Sequence, residues 1–182
     1  MNLIYPGSFD PFHRGHADVI RRIYDNIDVN NLIVLLQPNV FKSMPMFNNT
    51  FKFDYLESSI KDAFPTYNIH VSFTTECRFS TYWLITGLDS LKYKLVVGDD
   101  CLSSIHEWKD FKLMTSRGLE LVVVQRDLSY REIEGFKDTL SIISIISHDS
   151  QSISNTRNVS STVIRNEINQ ILNKYGRENV DQ

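Results

Sequence analysis

Short aliphatic runs recur along this chain, separated by longer stretches of helical periodicity. Leu3 and Ile4 open the series, and residues 32–36, 69–73, 93–97, 119–124 and 140–146 continue it, each of strand length. The run at 32–36 is apolar throughout, as expected of a strand buried on both faces, whereas 69–73 alternates. After the first run, Val19, Ile20, Ile23 and the aliphatic part of Arg22 recur at helical spacing, in a helix that begins at a histidine. Residues 51–64 fit a second helix with Tyr55, Leu56, Ile60 and Phe64 as apolar positions, stopped by Pro65. Residues 82–91 read as a third helix, which Gly87 weakens, and 105–114 as a broken helical stretch. Residues 126–137 are polar and irregular, and the Ser-rich stretch 147–154 reads as a mobile loop. Residues 161–175 form a last helix with Ile164, Ile168, Ile171 and Leu172 as its stripe.

Strands and helices therefore alternate, which argues for an α/β fold: a Rossmann-like parallel sheet with helices on both faces, as a single domain over residues 1–182. In such sheets ligands bind at the C-terminal ends of the strands, near the point where strand order reverses. Composition narrows the setting. A net charge of −3 gives no general pull toward nucleic acid or an anionic membrane, so phosphate recognition has to be local. The apolar runs are far shorter than the roughly 20 residues needed to span a bilayer, and the N-terminus lacks a secretory pattern. Cys77 and Cys101 make neither a disulfide framework nor a zinc pattern, and a soluble cytoplasmic protein with no metal site of its own is expected.

The chemistry concentrates between the first strand and the first helix, in Tyr5-Pro6-Gly7-Ser8-Phe9-Asp10-Pro11-Phe12-His13-Arg14-Gly15-His16. A strand, a Gly- and Pro-containing loop and a helix start make a phosphate site, because the first helical N–H groups lack internal partners and the helix dipole favours negative charge there. Gly7 and Gly15 carry no Cβ and so admit close backbone approach, and His13 and His16 can face one phosphate from one turn. The run resembles the G-[ST]-F-D-P-x-H-x-G-H signature of the nucleotidyltransferase superfamily of adenylyl- and cytidylyltransferases, with every fixed position from Gly7 to His16 present. Asp10, before Pro11, fits a structural turn better than a metal ligand.

Two further segments extend the resemblance. Val159-Ser160-Ser161-Thr162-Val163-Ile164-Arg165 is similar to the I-S-S-T-x-x-R element of that superfamily, with Val159 in place of Ile. Taken alone it is a capped amphipathic helix with a solvated arginine. Val97-Gly98-Asp99-Asp100-Cys101-Leu102, then Trp108, then a strand ending at Arg126, resembles the nicotinate/nicotinamide mononucleotide adenylyltransferases, matching G-x-D-x-L at Gly98, Asp100 and Leu102. Phosphopantetheine adenylyltransferases share the Tyr5–Pro11 opening, but their V-R-G-[LI]-R segment is replaced here by Val96-Val97-Gly98-Asp99-Asp100, without either arginine. Lys52 stands where the pyridine-nucleotide enzymes usually have Arg, and Ser80-Thr81-Tyr82 swaps their S-Y-T order.

The resemblance implies transfer of AMP from ATP, with Mg²⁺ arriving on the ATP, to a nicotinate or nicotinamide mononucleotide, with release of pyrophosphate. It implies catalytic roles for His13, His16 and Arg165. It places ATP on Gly7, Ser8, Phe9, Gly15, Gly98, Asp100, Ser160, Ser161 and Thr162, with Lys42 a weaker candidate that reads more readily as a solvated lysine. It places the pyridine ring on Trp108, Thr81 and Tyr82, a flat π-face being a sound partner for an electron-poor ring. Trp108 reads equally as a core aromatic, Arg126 as an adenine contact or a strand cap, and Asp99 as the exposed, roleless member of its pair. His70, His106 and His148 have no partner pattern. Alternatives are phosphopantetheine or another superfamily transferase and, in a different class, a nucleotide-binding sensor without turnover. Related enzymes are often homo-oligomers, though no exposed apolar helix face demands one here.

Overall fold

Two sets of side chains, alternating along every central strand, organise the molecule. The computed structural model describes residues 1–38, 49–75, 79–88 and 91–147, together with positions 164 and 166. Its strands are β1 (Asn2–Gly7), β2 (Asn31–Leu36), β3 (Ile69–Phe73), β4 (Lys94–Gly98), β5 (Leu121–Val124) and β6 (Ile142–Ile146). They form one sheet in the order β3-β2-β1-β4-β5-β6, with neighbouring strands parallel throughout. Strand order reverses between β1 and β4, so a crevice forms beyond their C-terminal ends.

The helices are α1 (Arg14–Asn26), α2 (Asn49–Ala63), α3 (Phe79–Ile85), α4 (Phe111–Ser116) and α5 (Tyr130–Glu134). On one sheet face Leu3, Leu32, Val34, Val96 and Val122 pack with Val19, Ile20 and Ile23 of α1 and Leu56 and Ile60 of α2. On the other, Ile4, Leu35, Leu95, Val97, Leu121 and Val123 pack with Phe79 and Trp83 of α3, Phe111 and Met114 of α4 and Ile133 of α5. Both faces being covered explains why the central strands are apolar at consecutive positions.

Several boundaries differ from the sequence-based expectation for identifiable reasons. The third helix runs over Phe79–Ile85 rather than 82–91, because Gly87 at φ +69 ends it. The amide of Leu88 donates back to the Trp83 carbonyl, and both side chains enter the second core. Gly118, at φ +80, ends α4 in the same way, with Leu119 donating to Met114. The broken stretch 105–114 is broken at Asp110, which adopts a left-handed φ of 61 between a 3-10 turn at Ile105–Glu107 and α4. Within the expected irregular segment 126–137 lies α5, closed by a capping box: Ser129 Oγ accepts from the Glu132 amide and Glu132 accepts from the Ser129 amide. Hydrogen bonds from the Ser129 hydroxyl and the Ser129 amide to its carboxylate hold the exposed Glu132 below its usual range. The stretch 148–154 and most of 161–175 lie outside the described residues; positions 164 and 166 are helical.

One buried charge ties the layers together. Arg22 sits in the apolar stripe of α1, and its Nη2 donates to the carbonyls of Gln125 (3.0 Å) and Ile146 (2.8 Å), at the ends of β5 and β6. Asp18, one turn earlier, places its Oδ2 4.0 Å from Arg22 Nη1. Arg22→Ala would leave buried acceptors and a buried carboxylate short of a partner, and is expected to destabilise the protein by about 3 kcal/mol. Urea unfolding followed by far-UV circular dichroism measures this; a loss below about 0.5 kcal/mol, the range of ordinary surface substitutions, would contradict it.

Candidate functional site

The loop between β1 and α1 lies at the strand-order reversal, and histidine rather than a hydroxyl residue caps the helix it leads into. His13 is the N-cap of α1, in extended conformation (φ −147, ψ 174). Its Nδ1 accepts from the Gly15 amide at 3.1 Å, while the Nδ1 of His16 accepts from the amide of His13 at 3.2 Å. This is a capping box built from two imidazoles, and it stacks their rings with centroids 3.8 Å apart. With both Nδ1 atoms accepting, the neutral rings carry their protons on Nε2, so each Nε2 is a donor. No acidic residue stands in the first turn of α1, which leaves the positive end of the helix uncompensated locally. The Gly15 amide, one of those expected to meet a ligand, is engaged by His13.

Aromatic packing fixes these rings from below. Phe9, buried at φ 38, meets His16 edge-on at 4.9 Å, and Phe12 stacks on His16 at 5.6 Å. The absence of a Cβ at Gly7 serves this packing rather than an open approach for a ligand: a Cβ there would lie 2.9 Å from the Phe9 ring. Asp10 is buried and pairs with the buried Nζ of Lys52 at 3.3 Å, which joins the loop to α2. Lys52 thus braces the loop. Its place in the sequence could have suggested an ion pair, but nothing in the spacing named Asp10 as the partner.

A second cluster forms where β1, β4 and β5 end. Gly98 leads into a 3-10 turn at Asp99–Cys101. Asp99 is the buried member of its pair and Asp100 the exposed one, which corrects the expectation for Asp99. Asp99 Oδ2 accepts from three consecutive amides, Arg126 (2.9 Å), Asp127 (3.0 Å) and Leu128 (2.8 Å). Arg126 crosses Gly98 and places Nη1 3.7 Å from Asp100 Oδ2. A Cβ on Gly98 would fall 2.2 Å from Asp100 Oδ1 and 3.3 Å from Arg126 Nε, so any side chain here would displace the Asp100 carboxylate from its present place. The Arg126 guanidinium also donates to the Tyr5 hydroxyl. Tyr5 meets Phe9 edge-on at 5.4 Å, so it links this cluster to the histidine loop.

Burial pushes the Tyr5 hydroxyl up to about 12, partly offset by the Arg126 cation. Burial, with the Asp100 anion adding to it, raises the Cys101 thiol to about 11. Burial works against the charge of Arg126, yet Tyr5, Asp100, Cys101 and Asp99 together hold its pKa above the ordinary value.

The remaining expected residues divide. Trp108 and Tyr82 are half-buried against the second core, and the Tyr82 hydroxyl lies 3.4 Å from Ser72 Oγ of β3. Thr81 is half-buried beside it on α3. Ser80 is buried and donates to Asp110 at 3.5 Å. Lys42, Ser160, Ser161, Thr162 and Arg165 lie outside the described residues. Among the described residues, no three His, Cys, Asp or Glu side chains converge as a metal site, and no helix is long and apolar enough to cross a membrane.

Comparison with known proteins agrees with this layout. The family model Cytidylyltransferase-like matches residues 4–167. A protein of a Sulfurovum species named "Probable nicotinate-nucleotide adenylyltransferase" is 29% identical over 145 residues, covering 74% of this chain and 72% of its own. A Dictyoglomus thermophilum phosphopantetheine adenylyltransferase is 47% identical over a shorter stretch of 62 residues, 32% of this chain and 34% of its own. Among solved structures, Plasmodium falciparum nicotinic acid mononucleotide adenylyltransferase complexed with NaAD superposes with a TM-score of 0.68 at 18% identity, covering 90% of this chain and 82% of its own. At that identity the likeness establishes the shared fold.

His13→Ala removes a helix cap and is expected to cost about 1 kcal/mol, whereas His13→Asn keeps an N-cap acceptor and stays within a few tenths of wild type. Denaturant midpoints of the two variants check this; equal losses would show that His13 does not cap. In a Cys77→Ser background at pH 8, Cys101 should react with iodoacetamide about 100-fold more slowly than an unperturbed thiol of pKa 9.0, because its thiolate forms near pH 11. Its rate should climb steeply between pH 9 and 11, and a rate already on a plateau at pH 9 would contradict the burial argument.

Proposed function

This chain belongs to the cytidylyltransferase-like family, and from that premise we propose that it is an adenylyltransferase of pyridine dinucleotide synthesis. It joins AMP from Mg-ATP to nicotinate or nicotinamide mononucleotide and releases pyrophosphate. The observation that carries the reading is the pair of stacked histidines at the start of α1, each with Nδ1 engaged by a backbone amide so that the neutral ring has its N–H at Nε2. The relatives named nicotinate-nucleotide adenylyltransferase over about three-quarters of the chain support the choice of acceptor, and their names favour the acid over the amide.

In this reaction the 5′-phosphate oxygen of the mononucleotide attacks the α-phosphorus of ATP, and the bond from that phosphorus to the pyrophosphate oxygen breaks. The attacking phosphate has a second pKa of roughly 6, so it is an anion at neutral pH and needs no general base. Rate acceleration then comes from positioning and from donors aimed at charge developing on the phosphoryl oxygens. His16 Nε2 serves the α-phosphate and His13 Nε2 the phosphate beside it. Arg165, with Ser160, Ser161 and Thr162, holds the β- and γ-phosphates as they leave, and Lys42 adds a charge at the same end. Asp100 meets the ribose of ATP, and Gly98 leaves room for it. Trp108, with Thr81 and Tyr82, receives the pyridine ring. Mg²⁺ would enter as part of the Mg-ATP substrate and would supply charge stabilisation to the phosphates. The working compartment is the cytoplasm.

A second acceptor, phosphopantetheine, is favoured by the 62-residue match at 47% identity. Pyrophosphate release from Mg-ATP, with nicotinate mononucleotide, nicotinamide mononucleotide or phosphopantetheine supplied in turn, separates the readings. Turnover is expected with a pyridine mononucleotide, and His16→Ala should lower kcat about 10²–10³-fold with a much smaller change in KM for ATP. Turnover with phosphopantetheine alone would replace the acceptor assignment and leave the phosphate chemistry standing. ATP binding without release from any acceptor would instead identify a sensor.

A further inference from the structure

The Asp99–Asp100 pair divides its labour in a way that spacing alone did not reveal. Asp100 is half-exposed, with 52% of its side chain accessible, and by itself its carboxylate would rotate freely at the edge of the crevice. Two contacts restrain it: the missing Cβ of Gly98, which gives its Oδ1 a place, and the Arg126 guanidinium. Arg126 in turn begins a loop that leaves β5 beside β4 and that carries three successive amides with no strand partner on that side. All three converge on Asp99 Oδ2. The same loop start is held from the opposite side, where Arg22 of α1 donates to the carbonyl of Gln125. The Tyr5 hydroxyl accepts from the same guanidinium, and its ring packs on Phe9 of the histidine loop.

We propose that Asp99 is a positioning residue: by gathering the amides of Arg126, Asp127 and Leu128 it holds Arg126 across Gly98, and so fixes the Asp100 carboxylate to receive the vicinal hydroxyls of the donor nucleotide's ribose. This rests on the adenylyl-transfer reading and adds to it the element that orders the ribose end of the site. Asp99 touches no substrate; it acts through Arg126 and Asp100. A carboxylate suits the task because charge-assisted hydrogen bonds from three amides are stronger than bonds to a neutral acceptor, and a residue buried to 1% exposure is not diverted to solvent. Preordering Asp100 spares the ligand the cost of freezing that side chain, an effect worth about tenfold in affinity.

The test is the ratio of affinities for ATP and 2′,3′-dideoxy-ATP, which share base and phosphates and differ in the two hydroxyls. Calorimetry on the full chain should give wild type about a tenfold preference for ATP. In Asp99→Ala and in Arg126→Gln the preference should collapse toward one, as in the control Asp100→Ala, with Asp99→Asn intermediate because it keeps an acceptor oxygen. General loosening of the fold weakens both ligands alike and leaves the ratio unmoved, so the ratio isolates positioning. Arg126→Gln retains an N–H donor for the buried Tyr5 hydroxyl, and that variant, read together with Asp99→Asn, decides the matter if Asp99→Ala does not fold. A retained tenfold preference in Arg126→Gln, or no preference in wild type, overturns the inference. Failure of wild type to bind either nucleotide overturns the adenylyl-transfer reading itself.

Discussion

Capping a helix with imidazoles imposes the central constraint on this molecule. A serine or aspartate at the start of α1 would close the helix equally well, but it would spend its polar atom on the backbone. An imidazole has two nitrogens: the Nδ1 atoms of His13 and His16 close the helix, which puts the N–H of each neutral ring on Nε2. The arrangement works only if the rings are held face to face, and that requirement spreads outward. Phe9 and Phe12 pack against His16, Gly7 gives up its Cβ to the Phe9 ring, and the Asp10–Lys52 pair fastens the loop to α2.

Charge is used sparingly in the interior, and each buried ion does positional work at the C-terminal edge of the sheet. Asp10 and Lys52 lie on the β1–α1 side, Arg22 and Asp18 beneath the ends of β5 and β6, and Asp99 between β4 and the loop after β5. In a parallel sheet this edge is where the chain turns away from its ladder, so backbone groups there need partners from side chains. Charged partners bond more strongly than neutral ones and tolerate little displacement, and so the crevice keeps its shape without being filled by apolar packing.

How much of this was legible in the sequence follows from the range of each interaction. The histidine motif was legible because its residues act on one another within one turn of helix, and the sheet was legible because consecutive apolar residues such as 32–36 require burial on both faces. The Ser129–Glu132 capping box was equally local and carried a readable S-x-x-E signal, although the polar composition around it suggested irregular chain. The third helix was displaced because its end depends on the backbone conformation of Gly87, which composition marks without fixing the register. Long-range partners were another matter. Asp99 and Asp100 are chemically identical neighbours, and only the arrival of residues 126–128 makes one of them a buried anchor. Arg22, in the midst of an apolar stripe, signalled that some acceptor must exist but could not say which.

The span of that last contact bears on how the protein comes into being. Arg22 and its acceptor at Ile146 are separated by 124 positions. A ribosome adding about 5–20 residues per second would take roughly 6–25 s to bridge them. Throughout that interval the guanidinium lacks its last acceptor, and the helix it belongs to lacks the last strand of its core. The final setting of the histidine loop is therefore a product of the finished sheet and not of the N-terminal segment alone.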